Sequence, residues 1–210
     1  MGIELIQTDG IFALDGGEWE VTNNIWLVGD DREVIVIDAA HDAEAIAAAV
    51  NGRKVGAIAL THGHNDHINA AVALKELVDA PIMLHPDDQM FWDVVHPDVD
   101  PDLDLIEGEL LAAGGTELRV LHTPGHSPGC VCFFQEVDGG VDQLFSGDTL
   151  FCGGPGATGR SHSSFEVIIR SIRERLLSLP PETVVHTGHG DSTTIGAEAP
   201  DLEEWLRRGH

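Results

Sequence analysis

Leu60-Thr61-His62-Gly63-His64-Asn65-Asp66-His67 decides how this 210-residue chain is read. Four metal-competent side chains, His62, His64, Asp66 and His67, fall within six residues. Imidazole and carboxylate suit zinc, manganese or iron, and several packed together imply one ion or a close pair. The stretch follows an apolar, strand-like run from Val55 to Leu60 and leads into a helix-like run from Ala70 to Val78. His62 and His64 are two residues apart, so extended backbone points them the same way. Asp66 and His67 then fall on the turn into the helix and face a second point. A histidine-rich surface loop that binds nothing would need no partners elsewhere in the chain. This one has them.

The partners are His122-Thr123-Pro124-Gly125-His126-Ser127-Pro128-Gly129, Phe145-Ser146-Gly147-Asp148-Thr149-Leu150 and His186-Thr187-Gly188-His189-Gly190. Each is an apolar strand-like run ending in a Gly-flanked His or Asp, where loops on a rigid sheet carry function. With this ordered set, the chain resembles the metallo-β-lactamase superfamily, in its glyoxalase-II-like hydrolase branch. The resemblance covers nearly the whole length. It implies a four-layer αββα sandwich of the α/β (α+β) class. It also implies a dinuclear site, with His62, His64 and His126 on one metal and Asp66, His67 and His189 on the other. Asp148 would bridge the two, and Asp66 and Asp148 would be the catalytic carboxylates. In the family an Asp at the end of the third strand supports a ligand histidine. Asp38 matches it, the alternative being a plain helix cap.

The ligand set runs from His62 to His189, so residues 1–210 are expected to form one domain, without the helical C-terminal domain of glyoxalase II. Hydrophobic residues make up 42% of the chain, enough for a sizeable core. No run approaches the roughly 18 apolar residues of a membrane span. Met1-Gly2-Ile3-Glu4-Leu5-Ile6 has neither a basic leader segment nor a myristoylation pattern. Three cysteines argue against a disulfide framework. Cys130 and Cys132 are expected to share one face in the core, and Cys152 to be a small buried hydrophobe. A cytoplasmic location fits. Eleven basic residues stand against 36 acidic ones, a formal charge of −25, and such a surface repels phosphate backbones. Nucleic acid and membranes are therefore not expected partners, and nothing indicates an oligomeric state.

Strands are expected at Ile11–Leu14 and Ile25–Val28 around a Gly16-Gly17 turn, then at Glu33–Ile37, Val55–Leu60 and Ile82–Leu84. Further strands are expected at Thr116–Leu121, Val131–Phe134, Gln143–Phe145 and Thr183–Val185, with a hairpin-like turn at Asp138-Gly139-Gly140. Helices are expected at Asp42–Val50 and Ala70–Val78, from His85-Pro86-Asp87-Asp88 through Trp92, at Ser163–Leu179 and at Leu202–Arg207. Pro97 to Asp104 reads as a loop. Gly153 to Gly159 lacks the Gly-Lys-Ser/Thr ending of a phosphate-binding loop and reads as a flexible wall beside the metals.

Two divalent ions and two ligand carboxylates leave net positive charge, which lowers the pKa of bound water toward about 7. The resemblance therefore implies hydrolysis by a metal-bridging hydroxide. Zinc is the expected ion, with iron or manganese also compatible. Asp148 stands where zinc β-lactamases of this fold usually carry Cys, which argues against antibiotic hydrolysis. The chain has no tyrosine and ends soon after His189, which argues against the glutathione carrier of glyoxalase II. The expected substrate is a small thioester, with mycothiol a candidate carrier. Leu121 to His126 and Gly153 to Arg160 carry a likeness to hydrolases of actinobacterial type. Arg160 is a candidate to hold substrate or brace its loop, with a structural salt bridge as the alternative. His41 is a candidate pocket residue, while His85, His96, His122, His162, His186 and His210 have no place in the ligand pattern. The rival reading is a mononuclear-iron persulfide dioxygenase of the same fold.

Overall fold

The computed structural model describes residues 2–209; Met1 and His210, the latter expected to stand apart from the ligands, lie outside the described residues. The first half of the chain contributes β1 (Gly2–Leu14), β2 (Gly17–Gly29), β3 (Glu33–Ile37), α1 (Ala43–Val50), β4 (Lys54–Ala59), α2 (Asn65–Ile68), α3 (Ala71–Val78), β5 (Ile82–Leu84), α4 (Gln89–Val95) and β6 (Leu103–Asp104). The second half contributes β7 (Leu110–Ala113), β8 (Thr116–His122), β9 (Val131–Gln135), β10 (Gln143–Gly147), β11 (Leu150–Phe151), β12 (Gly154–Pro155), α5 (Phe165–Ser171), β13 (Val184–Thr187), β14 (Thr193–Thr194), α6 (Ile195–Glu198) and α7 (Leu202–Arg208). Strands β1 to β6 form one sheet in chain order. A second sheet runs β14-β13-β10-β9-β8-β7, and β11 pairs with β12.

The period-two alternation of the strands builds the layers. Ile25, Leu27, Val34, Val36 and Ile58 face outward onto Ile46 and Val50 of α1 and Leu74 of α3. Their neighbours Trp26, Val28, Ile35, Ile37, Ala57 and Ala59 face inward and meet Leu118, Val120, Val131, Phe133 and Phe145 of the second sheet. The outer face of that sheet turns Cys132, Phe134, Leu144 and Val185 toward Ile168 and Ile169 of α5 and Trp205 of α7. Helix, sheet, sheet and helix therefore stack as the αββα sandwich. Each fully buried large side chain contributes about 1.5–3 kcal/mol to holding it.

Strand direction places the site. Strands β8 and β10 are both antiparallel to β9, and β13 is parallel to β10, so all three run the same way. Their C-terminal ends deliver His126, Asp148 and His189, while β4 delivers His62 from the first sheet.

Several expectations change in detail. β1 and β2 are thirteen residues each and paired throughout, far longer than the expected Ile11–Leu14 and Ile25–Val28. Much of this pair is half-exposed, so polar residues such as Glu18 and Glu20 interrupt the apolar pattern without ending the strand. β6 lies inside the expected loop, and β7 was not expected. The helix starting near Ser163 is capped by Ser164, becomes a wide turn over Ile172–Leu176, and ends there. Cys130 and Cys132 are buried as expected, but Cys152 is exposed: it sits in the turn between β11 and β12, where nothing covers it.

His186 on β13 stacks against Phe145 with ring centroids 4.8 Å apart, and its Nε2 lies 2.8 Å from Gln143 Oε1. Its Nδ1 is buried without a partner, and burial lowers its pKa to about 4. A depressed imidazole stabilises the fold in its neutral form. That contribution is complete above the ordinary value near 6.5 and is lost as pH falls toward 4. A His186→Phe variant should therefore flatten the acid side of the stability profile, with a difference on the order of 3 kcal/mol by pH 4 in urea melts. Parallel profiles for the two proteins would show that His186 does not control acid stability.

Candidate metal centre

Four of the five candidate imidazoles have an oxygen partner that fixes their orientation, while His64 Nε2 is buried without one. Asp38 accepts the Thr61 N–H at 2.7 Å and the Thr61 hydroxyl, and its Oδ2 lies 2.8 Å from His67 Nδ1. Thr61 Oγ1 in turn lies 3.1 Å from His62 Nδ1. Asp38 thus holds two histidines, one directly and one through a hydroxyl. It caps no helix, since Asp42 caps α1 through the Ala45 N–H. The Ala157 carbonyl takes His126 Nδ1 and the Thr22 carbonyl takes His189 Nδ1, both at 2.8 Å. In a neutral ring, a nitrogen that donates to oxygen leaves the other ring nitrogen as a lone pair. Those second nitrogens converge.

His62 Nε2 lies 3.1 Å from His64 Nδ1, which lies 2.9 Å from His126 Nε2. On the other side, His67 Nε2 lies 3.2 Å from His189 Nε2, and Asp66 Oδ2 lies 3.3 Å from that same nitrogen. The Asp148 carboxylate sits between the sets. Its Oδ1 is 3.4 Å from His67 Nε2, and its Oδ2 is 3.6 Å from His126 Nε2 and 3.5 Å from His189 Nε2. Nitrogens bound to one tetrahedral zinc stand about 3.3 Å apart, so this spacing is that of a ligand set. Asp66 Oδ1 and Asp148 Oδ1 are buried without hydrogen-bond partners. A Cβ on Gly188 would lie 2.3 Å from Asp148 Oδ1, and one on Gly156 1.8 Å from its carbonyl oxygen, so both neighbours must be glycine. The donor set fits two divalent cations, and the structure brings together all seven residues the sequence singled out.

The electrostatics divide the site in two. Burial pushes His62 well below the usual imidazole range, and burial with His126 takes His64 down to about 3, so both are lone-pair donors. Burial also opposes charge on His67 and His189, but Asp148 outweighs it, raising His67 well above its ordinary value and His189 to about 10. The same contacts hold Asp148 far below the carboxylate range against its burial. One side of the site presents lone pairs, and the other favours positive charge.

A fourth cluster, His85, Asp87 and His122, does not make a comparable site. The His85 and His122 rings stack at 12°, and one cation cannot lie in both ring planes. His41 sits behind Asp66, its Nε2 2.9 Å from Asn23 Oδ1, while Asn23 Nδ2 donates to Asp66 Oδ2 at 3.1 Å. It does not line the cavity. That cavity, about 280 Å³, is walled by Phe12, Trp19, Val21, Phe151, Ala157 and Arg160 above Asp66, His126, Asp148 and His189. The Arg160 guanidinium lies 3.8 Å from the Trp19 ring centroid and 5.3 Å from that of Phe12. Among the described residues no carboxylate pairs with it, so the salt-bridge alternative is not realised. Sequence reasoning missed Asn23, Asp88, Phe12 and Trp19. The ligand motif does not contain them, and only the pairing register of β1 with β2 brings the aromatic pair together.

The chain belongs to the metallo-β-lactamase superfamily, whose family model matches residues 19–189. It is a hydrolase-like metal-binding protein of that superfamily. Among similar proteins, the hydroxyacylglutathione hydrolase GloC of Haemophilus influenzae is 32% identical, across 83% of this chain and 87% of its own. The crystal structure of TTHA1623 in a di-iron-bound form superposes with a TM-score of 0.74 at 37% identity, covering 85% of this chain and 93% of that one. The BLEG-1 B3 metallo-beta-lactamase gives a TM-score of 0.77 at 29% identity, covering 92% and 97%. Among the described residues, no helix is long and apolar enough to cross a membrane.

Proposed function

We propose that this protein is a dinuclear metal-dependent hydrolase of small thioesters. The observation that carries the reading is the Asp148 carboxylate, set between two complete donor sets at the floor of an apolar cavity. Two divalent ions held there would supply Lewis acidity and a hydroxide at neutral pH. The chain's own residues do the rest. Asp38, Thr61 and two backbone carbonyls fix the imidazoles, so little reorganisation is needed. Phe12, Trp19 and Phe151 keep bulk water off the scissile carbonyl. Arg160, held by ring faces and not by a carboxylate, keeps its donors free for an anionic group of the substrate.

Zinc is the proposed ion at both positions, iron being the one in the TTHA1623 structure. The proposed setting is the cytoplasm. GloC is a hydroxyacylglutathione hydrolase by name, which supports thioester chemistry. For this chain a mycothiol-like carrier is proposed over glutathione, because the chain has no tyrosine to contact a glutathione carrier.

The test is to load the purified protein with zinc and assay matched acyl thioesters of glutathione, mycothiol and coenzyme A, with a β-lactam and glutathione persulfide alongside. Thioester turnover is expected, greatest with mycothiol. Oxygen consumption with the persulfide and no thioester cleavage would make the protein a dioxygenase. β-Lactam cleavage alone would place it with BLEG-1.

A further inference from the structure

Asp88 lies at the start of α4, fully buried, and no metal-ligand role uses it. Its Oδ2 accepts the Gly63 N–H at 2.7 Å and the Ser127 hydroxyl at 2.6 Å, and its Oδ1 accepts the Gly129 N–H at 2.6 Å. Gly63 separates His62 from His64, and Ser127 follows His126. Two loops, one from each sheet, therefore close on one carboxylate. They close tightly: a Cβ on Gly63 would come within 3.0 Å of Asp88 Cβ, and one on Gly129 within 2.7 Å of its Cγ. Burial raises the Asp88 carboxyl above its ordinary range, and the three donors offset that cost.

The second donor set has different supports. His67 is held by Asp38, Asp66 by Asn23, and His189 by the Thr22 carbonyl. None of these touches Asp88.

We infer that Asp88 is a positioning residue that clamps the His62–His64 loop to the His126 loop and so sets the spacing of the three-histidine metal position. The inference rests on the dinuclear reading and is independent of which substrate is cleaved. It predicts a separable effect. Losing Asp88 weakens one metal position and spares the other.

The experiment titrates cobalt(II) into metal-stripped wild type, Asp88→Asn and Ser127→Ala, following the d–d absorption bands and competition with a chelator. In Asp88→Asn an NH₂ replaces one acceptor and faces a donor in the same space. One of two equivalents should weaken 10- to 100-fold, the usual effect of removing a partner that orients a ligand. The other should stay within about threefold, on the same reasoning. Ser127→Ala removes one donor and should shift the same equivalent by less; should Asp88→Asn fail to fold, that variant decides the matter. Asn23→Ala is the counter-control and should weaken the other equivalent. Equal weakening of both positions, or of neither, overturns the clamp while leaving two-metal binding in wild type intact. Fewer than two equivalents in wild type overturns the dinuclear reading and the clamp with it.

Discussion

Asp148→Ala should lower turnover of any thioester substrate by at least about a thousandfold, with the fold retained. Among the described residues, Asp148 is the only carboxylate within reach of both donor sets, at 3.4 Å from His67 Nε2 and 3.6 Å from His126 Nε2. Its removal leaves two cations without the shared charge that offsets their repulsion. The surrounding backbone survives because Gly147 keeps its hydrogen bond from Gly188, and Gly156 its bond to Thr149. Circular dichroism should match wild type while metal content and kcat both fall. A variant that keeps two metals and near-normal turnover would remove Asp148 from the centre of the mechanism.

Stripping the metals should abolish activity and lower the melting temperature by about 15 °C or more. Each position saturated at a thousand times its Kd contributes about 4 kcal/mol. Chains of this size lose about 2–4 °C per kcal/mol. The direction follows from the site itself, where lone pairs of His62, His64 and His126 converge and two buried carboxylate oxygens lack partners. Loading must also displace a proton from His189, which is held at about 10, so apparent affinity at that position should fall as pH drops. Scanning calorimetry with and without chelator, repeated at two pH values, measures both effects. An unchanged melting temperature in the stripped protein would show that the donor set does not bind metal with useful affinity.

The ligand set was legible because rare residue types cluster just beyond strand ends. His62 follows β4 and leads into His64, Asp66 and His67 at α2, while His126 follows β8, Asp148 follows β10 and His189 follows β13. Buried strands such as Glu33–Ile37 were legible too, since both faces are covered and the run is continuously apolar. The long β1–β2 pair was not, because exposed polar residues hide its period. Asp88 and Asn23 left no signal for a different reason. Their partners are backbone N–H groups, hydroxyls and carboxylates far away in sequence, and one Asp before a helix reads as a cap. Cys152 shows the opposite failure: a residue type usually buried sits exposed in a tight turn.

The donors at this site come from both sheets. His62, His64, Asp66 and His67 extend from the first, and His126, Asp148 and His189 from the second. An ion pair held between them is therefore a reversible cross-link across more than a hundred residues of chain. In polymer terms, such a closure restrains the unfolded ensemble by about 4–5 kcal/mol if it behaves as a covalent tie of that span does. The two halves of the sandwich then cannot part along their shared inner face until the tie opens. Resistance to proteolysis and to heat in this protein becomes a question of ion residence time, set in the few ångströms between two histidine loops.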